Sequence, residues 1–210
     1  MKEPSDKVRR VLNLLMEQIA QGLLYFYCAR SLDKAFQQSG LMMRSYFFSV
    51  VYHAAMNEAV LALSRVMKEH KDSVTIHYLF NLVESEQHLL ALDGPETVRR
   101  SVADHKSRLE KYQVLIESAL EQRDRRGAHL DRKHVNTPSD VFKYPQGVNV
   151  SQLQECFVEV LDILNFYARY YDEAFVLSHL ESAIEGDVDI LLRWMREHGR
   201  PEEWIRPPVF

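Results

Sequence analysis

The sequence predicts an all-α protein, a single helical bundle of four long helices plus short helices. Three observations predict it. Apolar residues recur at three- and four-residue steps almost throughout the chain, no run of four or more strictly alternating residues is bounded by turn signals, and Gly and Pro are scarce, 7 of each in 210 residues.

The first helix is predicted from about Ser5 to Gln38. Val8, Leu12, Leu15, Ile19, Leu23, Phe26 and Arg30 fall on one face, and Asp6 stands near the start, where a carboxylate favours the positive end of the helix dipole. Gly40 marks a break. A second helix, about Leu41 to His70, carries Phe47, Val51, Ala54, Leu61 and Ala62 on one side. In the polar turn "KDSVT", Thr75 or Ser73 is placed to cap a short helix running through about Glu86.

"LDGPET" puts Pro95 at a first helical position, opening a third long helix with the stripe Val98, Val102, Leu109, Tyr112, Ile116, Leu120. This helix is expected to run on to the basic cluster "RDRRGAHLDRKH". About 15 residues with two prolines and a glycine follow, and a connection of that length in a compact helical domain is usually functional or disordered. Asn149 or Ser151 starts a fourth helix carrying Leu153, Phe157, Val160, Leu161, Leu164, Ala168 and Tyr171. A last amphipathic helix is expected from about Asp187 to Gly199. The organisation predicted is one bundle domain over residues 1–199 and an extended tail over 200–210.

Composition narrows the function classes. The chain is 46% hydrophobic and 27% charged, enough to bury a core, and its 30 acidic against 26 basic side chains give no global field that would attract nucleic acid. Any anion site must be local. The two cysteines, Cys28 and Cys156, lack metal-ligand or disulfide-framework spacing, so a reducing compartment fits. No membrane-spanning or targeting segment is recognised, and a cytoplasmic location is expected.

The basic cluster is the stretch least like packing material. Continuing the third helix's stripe beyond Ile116 and Leu120 brings Arg123 onto the apolar face, where a guanidinium needs either solvent or a polar partner. Glu58 and Arg65 share the face of Val51, Ala54 and Leu61 on the second helix, which suggests a polar layer inside the bundle and an ion pair of Glu58 with Arg65 or Arg123. His129, six residues after Arg123, is turned about 120° from it on an unbroken helix. One site using both therefore needs either an unwinding at Gly127 or two chains. A metal site from His129, Asp131 and His134 matches no strong motif, and the adjacent cations oppose a divalent ion, so no metal and no cofactor are expected.

"RDRRGAH", an Arg, five residues and a His, with a polar residue directly after the Arg, resembles the motif of the HEPN superfamily, helical domains of prokaryotic defence systems. "RDRRGAHLD" followed by "KYP" and a fresh helix, and the upstream "NEAVLALSRVMKEHKDSVTIHYLFNLV", are similar to the abortive-infection AbiU-type branch over about residues 40 to 175. The resemblance implies an HEPN-like fold and a metal-independent endoribonuclease of a toxin or phage-defence system, with its site at a homodimer interface. Arg123 and His129 would be catalytic, and Asp124 the polar residue after the Arg. Arg126 would assist Arg123. Arg125, Arg132 and Lys133 would contact RNA phosphates, and Tyr144 would stack on an unpaired base, packing being the plainer role for it. Some HEPN proteins are controlled by an antitoxin that modifies a Tyr two residues beyond the motif His. Here Asp131 stands there, so that control is not supported; an acid at that place would instead orient His129. An antitoxin or other partner protein remains an expectation of the resemblance. The alternatives are a non-catalytic HEPN-type module that binds nucleotide, RNA or a partner, and a helical dimerisation scaffold with a solvated charged helix end.

Overall fold

The computed structural model describes residues 6–39, 46–69, 73–86, 94–118, 120, 149–171, 173–174 and 179–198. Among them every regular element is helical, and the all-α fold class holds. The helices are α1 (Asp6–Ser39), α2 (Tyr46–Met67), α3 (Ile76–Ser85), α4 (Pro95–Glu110), α5 (residues 113–118), α6 (Val150–Ala168), a 3-10 turn (Arg169–Tyr171) and α7 (Leu180–His198).

Local chemistry explains the boundaries. Thr75, in extended conformation, accepts a hydrogen bond from the Tyr78 N–H at 3.3 Å and starts α3. Asn149 Oδ1 accepts from the N–H groups of Ser151 and Gln152, at 2.9 and 3.4 Å, and starts α6. Each cap satisfies backbone donors that the first helical turn leaves without a partner. α4 starts with Gly94 as its cap residue and no side-chain cap bond; Pro95 supplies the fixed φ that suits a first helical position.

The chain forms two compact units. The first comprises residues 1–20 and 60–175. Its core is centred on α6, whose Leu153, Phe157, Val160, Ile163 and Leu164 are fully buried. α4 packs on α3 and on α6, contributing Val98, Val102 and Leu109. Val8, Leu12, Leu15 and Ile19 of α1 and Leu63 and Val66 of α2 are also buried in this unit. Each large apolar side chain so buried contributes roughly 1.5–3 kcal/mol, and truncation of one such as Phe157 to Ala costs about 3–5 kcal/mol.

The second unit comprises residues 21–59 and 176–210. Leu32 and Ala35 of α1, Phe48 of α2 and Val188 of α7 form a buried cluster, with Cys28, Val51 and Ile184 packed against it. Arg30 pairs with Glu181 at 3.2 Å and Lys34 with Glu185 at 3.0 Å, so two turns of α1 are tied to the first turns of α7.

The structure differs from the sequence expectation at four places. The third helix does not run unbroken to the basic cluster, because a turn at Lys111 and Tyr112 separates α4 from α5. The fourth helix ends at Ala168 and tightens into the 3-10 turn that holds Tyr171. The last helix starts at Leu180, seven residues before Asp187, and passes straight through Gly186. Finally, the side of α2 that carries Val51, Ala54, Glu58, Leu61 and Arg65 is its less buried side: Ala54 and Arg65 are exposed and the others half-buried, while Ala55, Ala59, Leu63 and Val66 point inward. Ala62 is buried as expected, and the Phe47 side chain lies outside the described residues.

Candidate functional site

α4 leads toward the basic cluster. Its inward stripe is Val98, Val102, His105, Leu109, then Tyr112 and Ile116, all at most 6% exposed. At Leu120, the last described position, the stripe is only half-buried.

The turn between α4 and α5 is built by the Tyr112 N–H donating to the Leu109 carbonyl at 3.0 Å, after which the Ile116 N–H donates to the Tyr112 carbonyl at 3.0 Å and helix resumes. A tyrosine at 6% exposure pins the turn to the core. Around it lies a network of charges. Glu159 of α6 faces Arg108 at 2.5 Å and Lys111 at 3.6 Å, and Asp104 lies 3.7 Å from Arg108 on its own helix. The Arg108 contact is an ion pair rather than a well-angled hydrogen bond, since the same Glu159 oxygen has no hydrogen-bond partner among the described residues.

An open cleft of about 440 Å³ lies over this network, lined by Lys111 and Tyr112 on one side and by Ser151, Gln154, Glu155, Val158, Glu159 and Asp162 of α6 on the other. The carboxylates at 155, 159 and 162 recur at helical steps along the α6 wall, which makes that wall acidic. A phosphate would be repelled along that wall.

Beneath the seam of α4 and α6 is a histidine that pattern reading missed. His105 is 4% exposed, and its Nδ1 shares a hydrogen bond of 2.9 Å with the Tyr167 hydroxyl. Phe166 stands edge-on at 4.8 Å and Phe80 is stacked at 6.4 Å. Burial, helped by the nearby Arg108 and opposed by Asp104 and Glu159, lowers the imidazole pKa to about 4. His105 is therefore neutral at ordinary pH, a structural group enclosed by aromatic rings. Its signal was in the sequence: it falls in phase between Val102 and Leu109.

Of the candidate site residues, Glu58 is half-buried and Arg65 exposed, and among the described residues neither makes an ion pair, so the structure does not bring them together. Arg123, Asp124, Arg125, Arg126, His129, Asp131, Arg132, Lys133 and Tyr144 lie outside the described residues. What the structure supplies is the frame at either end of that segment: α5 on the approach, and Asn149, capping α6, on the return. Among the described residues no group of His, Cys, Asp and Glu could hold a metal ion, and no helix is long and apolar enough to cross a membrane.

A family model described as AbiU2, of HEPN type, matches residues 5–191. No curated protein and no solved structure matches the chain.

Proposed function

The chain belongs to the AbiU2 family of HEPN proteins, and from that membership we propose that it is a metal-independent endoribonuclease of an abortive-infection system, working as a homodimer with Arg123 and His129 as its catalytic pair. The observation that carries this reading is the "RDRRGAH" motif, standing inside a family match that takes in nearly the whole chain.

The chemistry needs only these side chains. Imidazole titrates near pH 6.5, so His129 can take the proton from a ribose 2′-hydroxyl at neutral pH. The 2′-oxygen then attacks the adjacent phosphorus, the bond to the 5′-oxygen breaks, and the proton held by the imidazolium passes to that oxygen, which returns the imidazole to its neutral form. The products are a 2′,3′-cyclic phosphate and a 5′-hydroxyl. Arg123 stabilises the charge that builds on the phosphoryl oxygens through paired N–H donors, a geometry lysine does not reproduce. Arg126 assists it, Asp124 and Asp131 flank the pair, and Asp131 orients the imidazole. Arg125, Arg132 and Lys133 hold neighbouring phosphates, and Tyr144 offers a stacking face. Two chains meeting at the motif reconcile Arg123 with His129, which one unbroken helix would set about 120° apart. The test is cleavage of RNA in the presence of chelator by the wild type against His129→Ala.

A further inference from the structure

We infer that α7 is a docking surface for the α7 of a second copy of this chain, the two helices running antiparallel about a two-fold axis at Ile190. The inference does not rest on the reading of Arg123 and His129.

α7 belongs to the second unit, and one side of it is tied down. Ile184 and Val188 pack on the cluster with Leu32, Ala35 and Phe48, while Glu181 and Glu185 pair with Arg30 and Lys34 of α1. At 100° per residue, Ile190 and Trp194 lie about a third of a turn around the helix from Ile184 and Val188, with Leu191 between the two sides. Ile190, Leu191 and Trp194 are 62%, 44% and 58% exposed. Three large apolar side chains within five residues form a patch of the kind that marks an interaction surface, whereas single exposed ones do not.

The same face offers a seat for such a patch. Ala183, Gly186, Asp187 and Ile190 stand at i, i+3, i+4 and i+7 and are all exposed, so they outline one hole of the knobs-into-holes type. A Cβ built at Gly186 meets nothing within 4 Å, so that side of the hole is open. In an antiparallel pair about Ile190, residues equally far before and after it come level. Trp194 of each copy, four residues beyond the axis, comes level with Gly186 of the other, four before it, and enters the hole. Arg193, exposed on the flank, comes level with Asp187 of the other copy and within one turn of Asp189. The apolar and the charge patterns thus place the axis at one residue, as an isologous contact requires. A parallel pair would instead set Asp187 beside Asp187 and Arg193 beside Arg193. The exposed Asp187, Asp189 and Glu197 on this helix disfavour an anionic lipid surface as the occupant. A contact of one helix from each copy falls below about 1,200 Å² in total, so the association is reversible, with Kd on the order of 10 μM.

The experiment is sedimentation equilibrium of the full chain for the wild type, Trp194→Ala, Arg193→Glu and Asp187→Lys/Asp189→Lys, with circular dichroism to confirm folding. Trp194→Ala is expected to weaken the association by about thirtyfold. Arg193→Glu and the double lysine variant should each weaken it by about tenfold alone, because like charges then meet at both symmetry-related contacts. An equimolar mixture of those two should associate as the wild type does, because both contacts of the mixed pair join opposite charges. Should Trp194→Ala fail to fold, the charge variants, all at exposed positions, decide in its place. A wild type that shows no association up to about 100 μM overturns the inference and leaves the face to residues 199–210 or to a different protein. Association unchanged in every variant places the contact on another surface and overturns it too, as does a mixture that associates no more tightly than its separate components.

Discussion

His105 and Tyr167 share a hydrogen bond of 2.9 Å inside the core of the first unit, and the imidazole is held neutral there. The pH dependence of stability follows. Burial sets the folded pKa at about 4, below the usual 6.5, so between those values the unfolded chain binds a proton that the folded chain does not. The stability contributed by neutral His105 is therefore complete above about pH 6.5 and is lost as pH falls toward 4. The loss amounts to about 2 kcal/mol by pH 5. Urea unfolding of the wild type and of His105→Gln at pH 7 and pH 5 measures it; a wild-type loss no greater than that of the variant would contradict the assignment.

Tyr167→Phe removes the partner and leaves the buried Nδ1 unpaired, at a cost of about 1–3 kcal/mol. The expected result is a lower urea midpoint with unchanged helical content by circular dichroism. An unchanged midpoint would mean that the hydrogen bond contributes nothing net.

Gly186 sits inside α7, and a Cβ built there meets nothing within 4 Å. Nothing about this position requires glycine, so Gly186→Ala should stabilise the protein by about 0.5–1 kcal/mol, through helix propensity and the reduced freedom of the unfolded chain. A rise in thermal midpoint checks this. A fall would show that the flexibility of α7 at this point is needed for folding.

The two thiols should differ in reactivity. Cys156 is fully buried, its Sγ lies 3.3 Å from the Met67 Sδ, and burial pushes its pKa up to about 12. Cys28 is half-buried and its pKa is raised less far. Mass spectrometry after alkylation at pH 8 should find Cys28 modified first and Cys156 modified only in urea. Rapid modification of native Cys156 would contradict the packing around α6.

How much of this was legible in the sequence depended on whether local chemistry or tertiary packing decided the outcome. The caps were readable, because Thr75 and Asn149 each act through their own side chain on the next turn. The stripe of α4 was readable too, although His105 was overlooked in it, because a polar residue on an apolar face announces itself only once a partner such as Tyr167 is known. The facing of α2 was not readable. Apolar and small residues occupy most sides of that helix, so periodicity fits more than one face, and packing chose the one carrying Ala59 and Leu63 over the one carrying Ala54, Glu58 and Arg65. The start of the last helix, read at about Asp187, was set too late: α7 begins at Leu180 and runs through Gly186, with Ile184 and Val188 packed on one cluster. At the site, the motif was legible as residue types and spacing. The Glu159 network was not, since it joins residues about 50 apart in sequence.

The central claim is that Arg123 and His129 cleave RNA without metal, and it is tested most directly by incubating the purified protein with mixed RNAs in chelator. Arg123→Ala and His129→Ala are run beside it, with circular dichroism to confirm that each variant is folded. The account predicts fragments ending in 2′,3′-cyclic phosphate from the wild type alone. Equal cleavage by the wild type and the two variants, or a folded dimeric wild type that binds RNA and leaves it intact, would contradict it.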